Sequence, residues 1–289
     1  MPPDETAKTP TYSPGLDGVF AGETKLCHVD AGEGGLRYRG YAVSDLAEKA
    51  TFEAVAYLLL FDKLPTQKEL KDFTTQLAAH SVLPGSVEAF LSVIPPTAHP
   101  MDILRTSVSL LGMTDPDASD SSHDANVRKA IRLLAQIPLI IATAHRLTNG
   151  EPHVRPQADL SFAENLLFLL TNCMGDDTAK AMAHVLDVSL TLYAEHEFNA
   201  STFSARVTAS TMTDLHSAIT AAIGTLKGPL HGGANEAVAT MFLEIKSRDK
   251  AKRWVQARPR LRSPRRQSAT RSSTQQARGC ERCRSPPNA

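Results

Sequence analysis

The sequence predicts a mainly α-helical protein with one small N-terminal β-hairpin, and three observations carry that prediction. Apolar residues recur at helical spacing along most of the chain, and capping patterns punctuate it. No alternating run is long enough to make a parallel sheet. At 289 residues, 42% of them hydrophobic, the chain can bury a sizeable core as one large domain or two.

Residues 1–14 are rich in Pro and Thr and are expected to be disordered. Val19 to Tyr41 holds short β-prone pieces around the glycines at 32, 34 and 35, which suits a hairpin. Thr51 to Leu60 is apolar nearly all round and predicts a buried helix. Thr66 with Glu69, and Ser161 with Glu164, have capping-box spacing, each marking a helix start. His99 before Pro100 reads as the start of another helix. A helix from about Asp124 to Leu147 should end at Asn149-Gly150, where a left-handed cap is easy, and Pro138 should kink or split it. Further helices are predicted over 161–172, 177–198, 200–211, 213–226 and 234–246.

The formal net charge of zero hides a division. Residues 256–289 carry nine arginines, no lysine and one acid, Glu281, which leaves 22 basic against 30 acidic groups before them. Such a tail, nearly free of apolar residues, cannot offset its ordering entropy and is expected to be disordered. It has no aromatic residue for base stacking, so no nucleic-acid partner is expected. The most apolar run, Pro138 to Ala144, is far shorter than the ~20 residues of a membrane span, so no membrane association is expected. No secretory signal is visible, and Cys27 and Cys173 fit reduced thiols, which points to the cytoplasm. Cys280 and Cys283 form a lone C-x-x-C without a second ligand pair and read as accidental. His80, His123, His145, His153, His184 and His216 lack partners at metal-ligand spacing. Arg37 and Arg39 on the hairpin either meet carboxylates of a partner subunit or are simply solvated. Arg105 and Arg206 read as structural ion-pair donors on helices.

The most informative stretch is Gly228-Pro-Leu-His-Gly-Gly-Ala-Asn-Glu-Ala-Val238, which sets His231 in a glycine-rich turn before a predicted helix. Proline restricts φ upstream, and paired glycines allow close approach of backbone and substrate. The positive end of the following helix disfavours protonation of a nearby imidazole. A neutral imidazole held there can donate a hydrogen bond to a carbonyl oxygen that gains charge, as in an enolising thioester. His231 is therefore the candidate catalytic residue. His196, between Glu195 and Glu197 and near a predicted helix end, is either a solvated cation favoured by those carboxylates or a ligand-binding group. Asn199 either shapes the same end of a pocket or caps a helix C-terminus.

These motifs resemble those of the citrate synthase family. Gly228 to Val238 resembles its signature, and Tyr193-Ala-Glu-His-Glu-Phe-Asn-Ala-Ser-Thr-Phe203 its second histidine motif. Gly18 to Cys27, Leu36-Arg-Tyr-Arg-Gly-Tyr41 and His99-Pro-Met-Asp-Ile-Leu-Arg105 also match, in the family's order. The resemblance covers roughly 15–255 and is nearest to the short bacterial citrate synthase and 2-methylcitrate synthase branch.

The resemblance implies a multi-helical large domain, a small CoA-binding domain and a homodimer, with helices of 161–226 supplying the dimer surface. It implies an acyltransferase that condenses acetyl-CoA or propionyl-CoA with oxaloacetate to citrate or 2-methylcitrate. His231 would stabilise the enol, and His196 with Asn199 would bind oxaloacetate. No cofactor or metal is expected, acyl-CoA being a substrate. The expected division is 1–14 disordered, 15–228 large helical domain, 229–255 start of the small domain and 256–289 disordered tail. The family's later Gly-Phe-Gly-His segment, aspartate base and substrate-clamping arginines find no match after Trp254. A frameshift or an artificial terminus after about Val255 is the expected reason. The chain is accordingly expected to be inactive, or to serve as a non-catalytic binding or dimerisation partner of an intact synthase.

Overall fold

A computed structural model describes residues 21–30 and 35–233, with scattered positions between 240 and 250. The expected disordered segments 1–14 and 256–289, the predicted turn at 31–34 and most of the 234–246 helix lie outside the described residues. Gly22–His231 forms one compact unit.

That unit begins with a three-stranded antiparallel sheet in the order β1 (Cys27–Asp30), β2 (Gly35–Tyr38), β3 (Tyr41–Ala42). Cys27 faces Tyr38 across the first pair, and Tyr38 faces Tyr41 across the second. The short third strand adds to the expected hairpin. Ten described helices follow: α1 (Val43–Lys49), α2 (Phe52–Phe61), α3 (Gln67–His80), α4 (Gly85–Ser92), α5 (Pro100–Thr114), α6 (His123–Thr148), α7 (Phe162–Thr171), α8 (Asp177–Leu192), α9 (Ala200–Ser210) and α10 (Leu215–Leu226). The mainly α expectation holds.

Both predicted capping boxes form. Glu69 N–H donates to Thr66 Oγ1 at 3.3 Å while the Glu69 carboxylate takes the Thr66 N–H at 2.8 Å. Ser161 and Glu164 repeat the pattern at 3.3 and 2.8 Å. His99 caps α5 by accepting the Met101 N–H on Nδ1 at 3.1 Å. Other caps are supplied from afar. Asp187 of α8 accepts the Phe52 N–H that opens α2, and Glu53 of α2 accepts the Phe162 N–H that opens α7. Each puts a carboxylate at the positive end of a helix dipole.

α6 is the central element. Of the expected kink or split at Pro138 the split does not occur: the helix is continuous, although proline removes one backbone bond and crowds the preceding turn at a cost of about 3 kcal/mol. Burial on both sides of the proline offsets this: Ile131, Leu133, Ala135, Leu139 and Ile140 are all buried. Gly150 takes the left-handed conformation expected after the helix, at φ 72°. The helix is long and apolar enough to cross a membrane, but 56% of its most apolar stretch is buried within the protein. It joins two cores. One gathers Ile103, Val108 and Leu111 of α5 with Leu139 and Ile140 of α6 and Ile223 of α10. The other packs Tyr57 and Phe73 of α2 and α3 against Ile131 and Ala135 of α6. A third cluster seats Cys27 and Tyr38 of the sheet on Val43 and Leu46 of α1 and Val55 and Leu58 of α2.

Candidate functional site

His196 lies in the loop between α8 and α9, beyond the helix end rather than within it. The predicted helix over 177–198 stops at Leu192, where Tyr38 meets the last carbonyls. Its hydroxyl lies 3.0 and 3.2 Å from the carbonyl oxygens of Thr191 and Leu192, and accepts the Glu195 N–H at 3.3 Å. The hydroxyl thus occupies carbonyls at the helix end that have no intrahelical partner. Residues 193–198 form a loop, and Asn199 caps the N-terminus of α9 rather than a C-terminus: its Oδ1 accepts the Thr202 N–H at 2.8 Å.

That cap fixes the asparagine's orientation. With Oδ1 turned toward α9, Nδ2 points back along the loop and donates to His196 Nε2 at 3.1 Å. Ser201 Oγ lies 2.6 Å from the same Oδ1, which can only accept, so the serine hydroxyl is the donor. The oxygen of Ser201 remains an acceptor, and His231 Nε2 lies 2.9 Å from it. One hydrogen-bonded chain therefore links His231, Ser201, Asn199 and His196. In this arrangement His231 carries a proton on Nε2, and His196 offers an Nε2 lone pair to the asparagine.

His231 itself is half-buried in the turn after α10, where its N–H bonds to Gly228 O at 2.9 Å. Lys227, the residue that closes α10, bonds to Asp102 Oδ2 at 2.6 Å, and Arg105 meets the other oxygen at 3.0 Å. The first turn of α5 thereby anchors the approach to the histidine turn. These ion pairs hold the Asp102 carboxyl below the usual range, the Lys227 hydrogen bond being the main cause.

The carboxylates flanking His196 each hydrogen-bond to other groups. Glu195 Oε1 accepts the Glu197 N–H at 2.7 Å and the Cys27 thiol at 3.4 Å. Glu197 Oε1 accepts the Val29 N–H at 3.1 Å. Burial, reinforced by the Glu195 hydrogen bond, pushes the Cys27 thiol up to about 12, so it stays protonated. Arg39 pairs within its own chain with Asp62 and donates to Lys25 O at 3.1 Å. Arg206 lies over the Phe198 ring, 4.5 Å from its centroid. Among the described residues, no group of three His, Cys, Asp or Glu is positioned to hold a metal ion.

Sequence reasoning found His231, His196 and Asn199 but not Ser201 or Tyr38. Asn followed by Ala-Ser-Thr is a helix N-terminus signature and could have located both the cap and the serine. Nothing local marks Tyr38, whose partners lie more than 150 residues away.

Residues 15–263 match the family model for the citrate synthase C-terminal domain. The chain is 43% identical over 241 residues to the citrate synthase of Deinococcus radiodurans, covering 83% of this chain and 63% of that protein. It is 46% identical over 233 residues to the 2-methylcitrate synthase of Shewanella oneidensis, covering 80% and 60%. A solved ternary complex of carboxymethyl coenzyme A and oxaloacetate with the citrate synthase of Thermoplasma acidophilum superposes with a TM-score of 0.76. Its sequence identity is 30%, over 85% of this chain and 64% of that one. The chain spans between 60% and 66% of the length of the curated relatives it matches.

Proposed function

The chain belongs to the citrate synthase family, and on that premise we propose that Gly22–His231 carries half of a condensation site for oxaloacetate and acetyl-CoA or propionyl-CoA. The observation that supports this reading best is the hydrogen-bonded chain from His231 to His196, because it makes one unit of two histidines 35 positions apart.

In the proposed reaction a carboxylate base removes an α-proton from the acyl thioester while His231 donates to the thioester oxygen. The enol attacks the carbonyl carbon of oxaloacetate, and the new C–C bond forms as the carbonyl π pair moves to its oxygen. That oxygen takes a proton from a second acid, and the enol proton returns to His231. Water then hydrolyses the thioester to the free acid and CoA. His196, oriented by Asn199, hydrogen-bonds oxaloacetate. No metal is required. Ser201 governs the electrophile: its single proton can go to Asn199 Oδ1 or to His231 Nε2. When it turns to His231, Nε2 becomes the acceptor and the neutral ring's proton sits on Nδ1, free for the thioester oxygen.

Glu195 and Glu197 are poor candidates for the base, since the hairpin engages both carboxylates. Residues 256–289 contain one acid, Glu281. The polypeptide is therefore expected to bind oxaloacetate without turning over acyl-CoA. A thiol-release assay with either acyl-CoA and oxaloacetate, run beside a calorimetric titration with oxaloacetate, tests both parts. Binding that His196→Ala abolishes, with no thiol release, is the expected result. Substrate-dependent thiol release overturns the inactivity, and absence of binding overturns the half-site.

A second reading, a binding or dimerisation partner without catalysis, draws on exposed apolar side chains. Met113 at the end of α5 and Met212 between α9 and α10 are 80% and 75% exposed. Self-association by sedimentation, or co-purification with an intact synthase, is the outcome that favours it. The proposed setting is the cytoplasm, where Cys27 and Cys173 stay reduced.

A further inference from the structure

We propose that the N-terminal sheet is a working part of the oxo-acid site, with Tyr38 as the residue that positions His196. Three residues of the sheet converge on the seven residues 191–197. Tyr38 Oη ties the end of α8 to the backbone of Glu195. The Cys27 thiol donates to the Glu195 carboxylate, and the Val29 N–H donates to the Glu197 carboxylate. His196 lies inside this clamp.

The clamp holds a conformation that the loop has little reason to keep alone. Glu197 has φ 70°, a left-handed backbone that a residue with a Cβ adopts at a cost. Its N–H and its carboxylate are both secured, the first by Glu195 and the second by Val29. His196 is exposed, and its one described polar contact is Asn199 Nδ2, so the ring is placed by the backbone of 195–197 together with that single hydrogen bond. Tyr38 is fully buried among Val43, Leu46, Val55 and Leu58, which makes its hydroxyl a rigid reference point. Position is thus passed from the core through one phenol to the imidazole, as supporting hydrogen bonds do for groups that must be held in register.

The consequence for binding rests on the reading of His196 as the oxo-acid group, whereas the consequence for the ring itself does not. The test uses the full 289-residue chain with 15N-labelled histidine. The His196 ring resonances are identified by their loss in His196→Asn, and oxaloacetate affinity is measured by calorimetry. Tyr38→Phe, which deletes only the hydroxyl, is expected to shift the His196 ring resonances and weaken oxaloacetate about tenfold. Tyr57→Phe, which deletes a hydroxyl in a different core cluster, is expected to change neither. Should Tyr38→Phe fail to fold, Glu197→Ala cuts the clamp from the loop side and is expected to act in the same direction. Unaltered His196 resonances in the folded variants would overturn the proposal, whatever their melting temperatures, and leave Tyr38 a purely structural residue. If the parent chain binds no oxaloacetate, the proposed function falls, and the ring resonances still decide the positioning.

Discussion

The α2–α3–α6 core and the loop over 193–199 are held by different forces. In the core, Tyr57, Phe73, Leu77, Ile131 and Ala135 exclude water from one another, and Phe73 meets Tyr57 and Phe61 edge-on at 5.5 and 6.2 Å between centroids. The loop buries none of its residues and depends instead on hydrogen bonds to β1, β2 and α9. Apolar packing is non-directional and sums over many atoms. A hydrogen bond contributes a modest net free energy but fixes an angle. Damage to the core should therefore appear as lost stability, and damage to the loop as altered geometry at nearly unchanged stability.

Phe73→Ala is the harshest way to break that contrast and carries the largest expected effect. Phe73 is 2% exposed, and truncating a buried phenylalanine costs about 3–5 kcal/mol through lost transfer energy and the cavity left behind. Urea unfolding followed by circular dichroism is expected to give a loss in this range. The histidine resonances of the remaining folded protein should stay at their parent positions. If the 193–199 loop moves as well, core and site are not separable.

The same contrast explains what was legible in the sequence. Capping boxes at Thr66 and Ser161, the all-round apolar Thr51–Leu60 and the glycine after α6 each act over ten residues or fewer, so their signals are local. His231 is singled out by its glycine turn and His196 by its flanking carboxylates and motif, whereas the N-terminal cap that Asn199 forms reads from the sequence as a C-terminal one. The end of α8 was not legible: the group that bonds its last carbonyls, Tyr38, is more than 150 positions away. Nor did the sequence choose between a kink and a split at Pro138; the continuity of α6 goes with its burial against α5 and α10 rather than with the proline's neighbours. Gly112 falls between these cases. A lone glycine inside a helical pattern hints at a packing constraint, and a Cβ there would lie 2.9 Å from the Cβ of His216 on α10.

His216 allows the comparison to be sharpened, because at the α5–α6–α10 junction burial and charge act together. It is 1% exposed, with Nδ1 lacking a hydrogen-bond partner and Nε2 3.5 Å from Asp115. That geometry does not make it an ion-pair cation. Asp115 is already matched by the Arg132 guanidinium, at 2.7 and 2.8 Å. Burial therefore lowers the His216 pKa below its ordinary 6.5, despite the opposing pull of Asp115 and Asp214. As pH falls below 6.5 the unfolded chain takes up this proton before the folded one, so stability should decline toward the lower folded value. Asp214, held low by its Ser217 hydrogen bonds against the cost of burial, acts in a later window. Its contribution is complete above the ordinary carboxylate value of 3.8 and is lost as pH drops through the folded value. Stability curves between pH 7.5 and 5 should slope downward toward acid in the parent and flatten in His216→Asn. A slope that survives the substitution assigns the acid sensitivity to other groups.

Ser201→Ala has the smallest expected effect on stability and speaks most directly to the site. The serine lies two residues inside α9 and makes one bond to Asn199 and one to His231. Its removal leaves the helix cap intact, since Thr202 N–H still donates to Asn199 Oδ1. The stability change should stay within about 1 kcal/mol, the net worth of one such hydrogen bond. His231 Nε2, however, loses the oxygen that selects its tautomer, so the 15N resonances of that ring should change while the melting curve barely does. Asn199→Ala provides the contrast: it removes the cap, at about 1 kcal/mol, and disconnects both histidines. If Ser201→Ala disturbs His231 and leaves His196 untouched, the four groups are linked pairwise, and Asn199 is the anchor for each half. If both rings respond, the chain is cooperative, and the proton position on His231 is set in part by what His196 binds. The second outcome would couple occupancy of the oxo-acid end to readiness of the electrophile at the other.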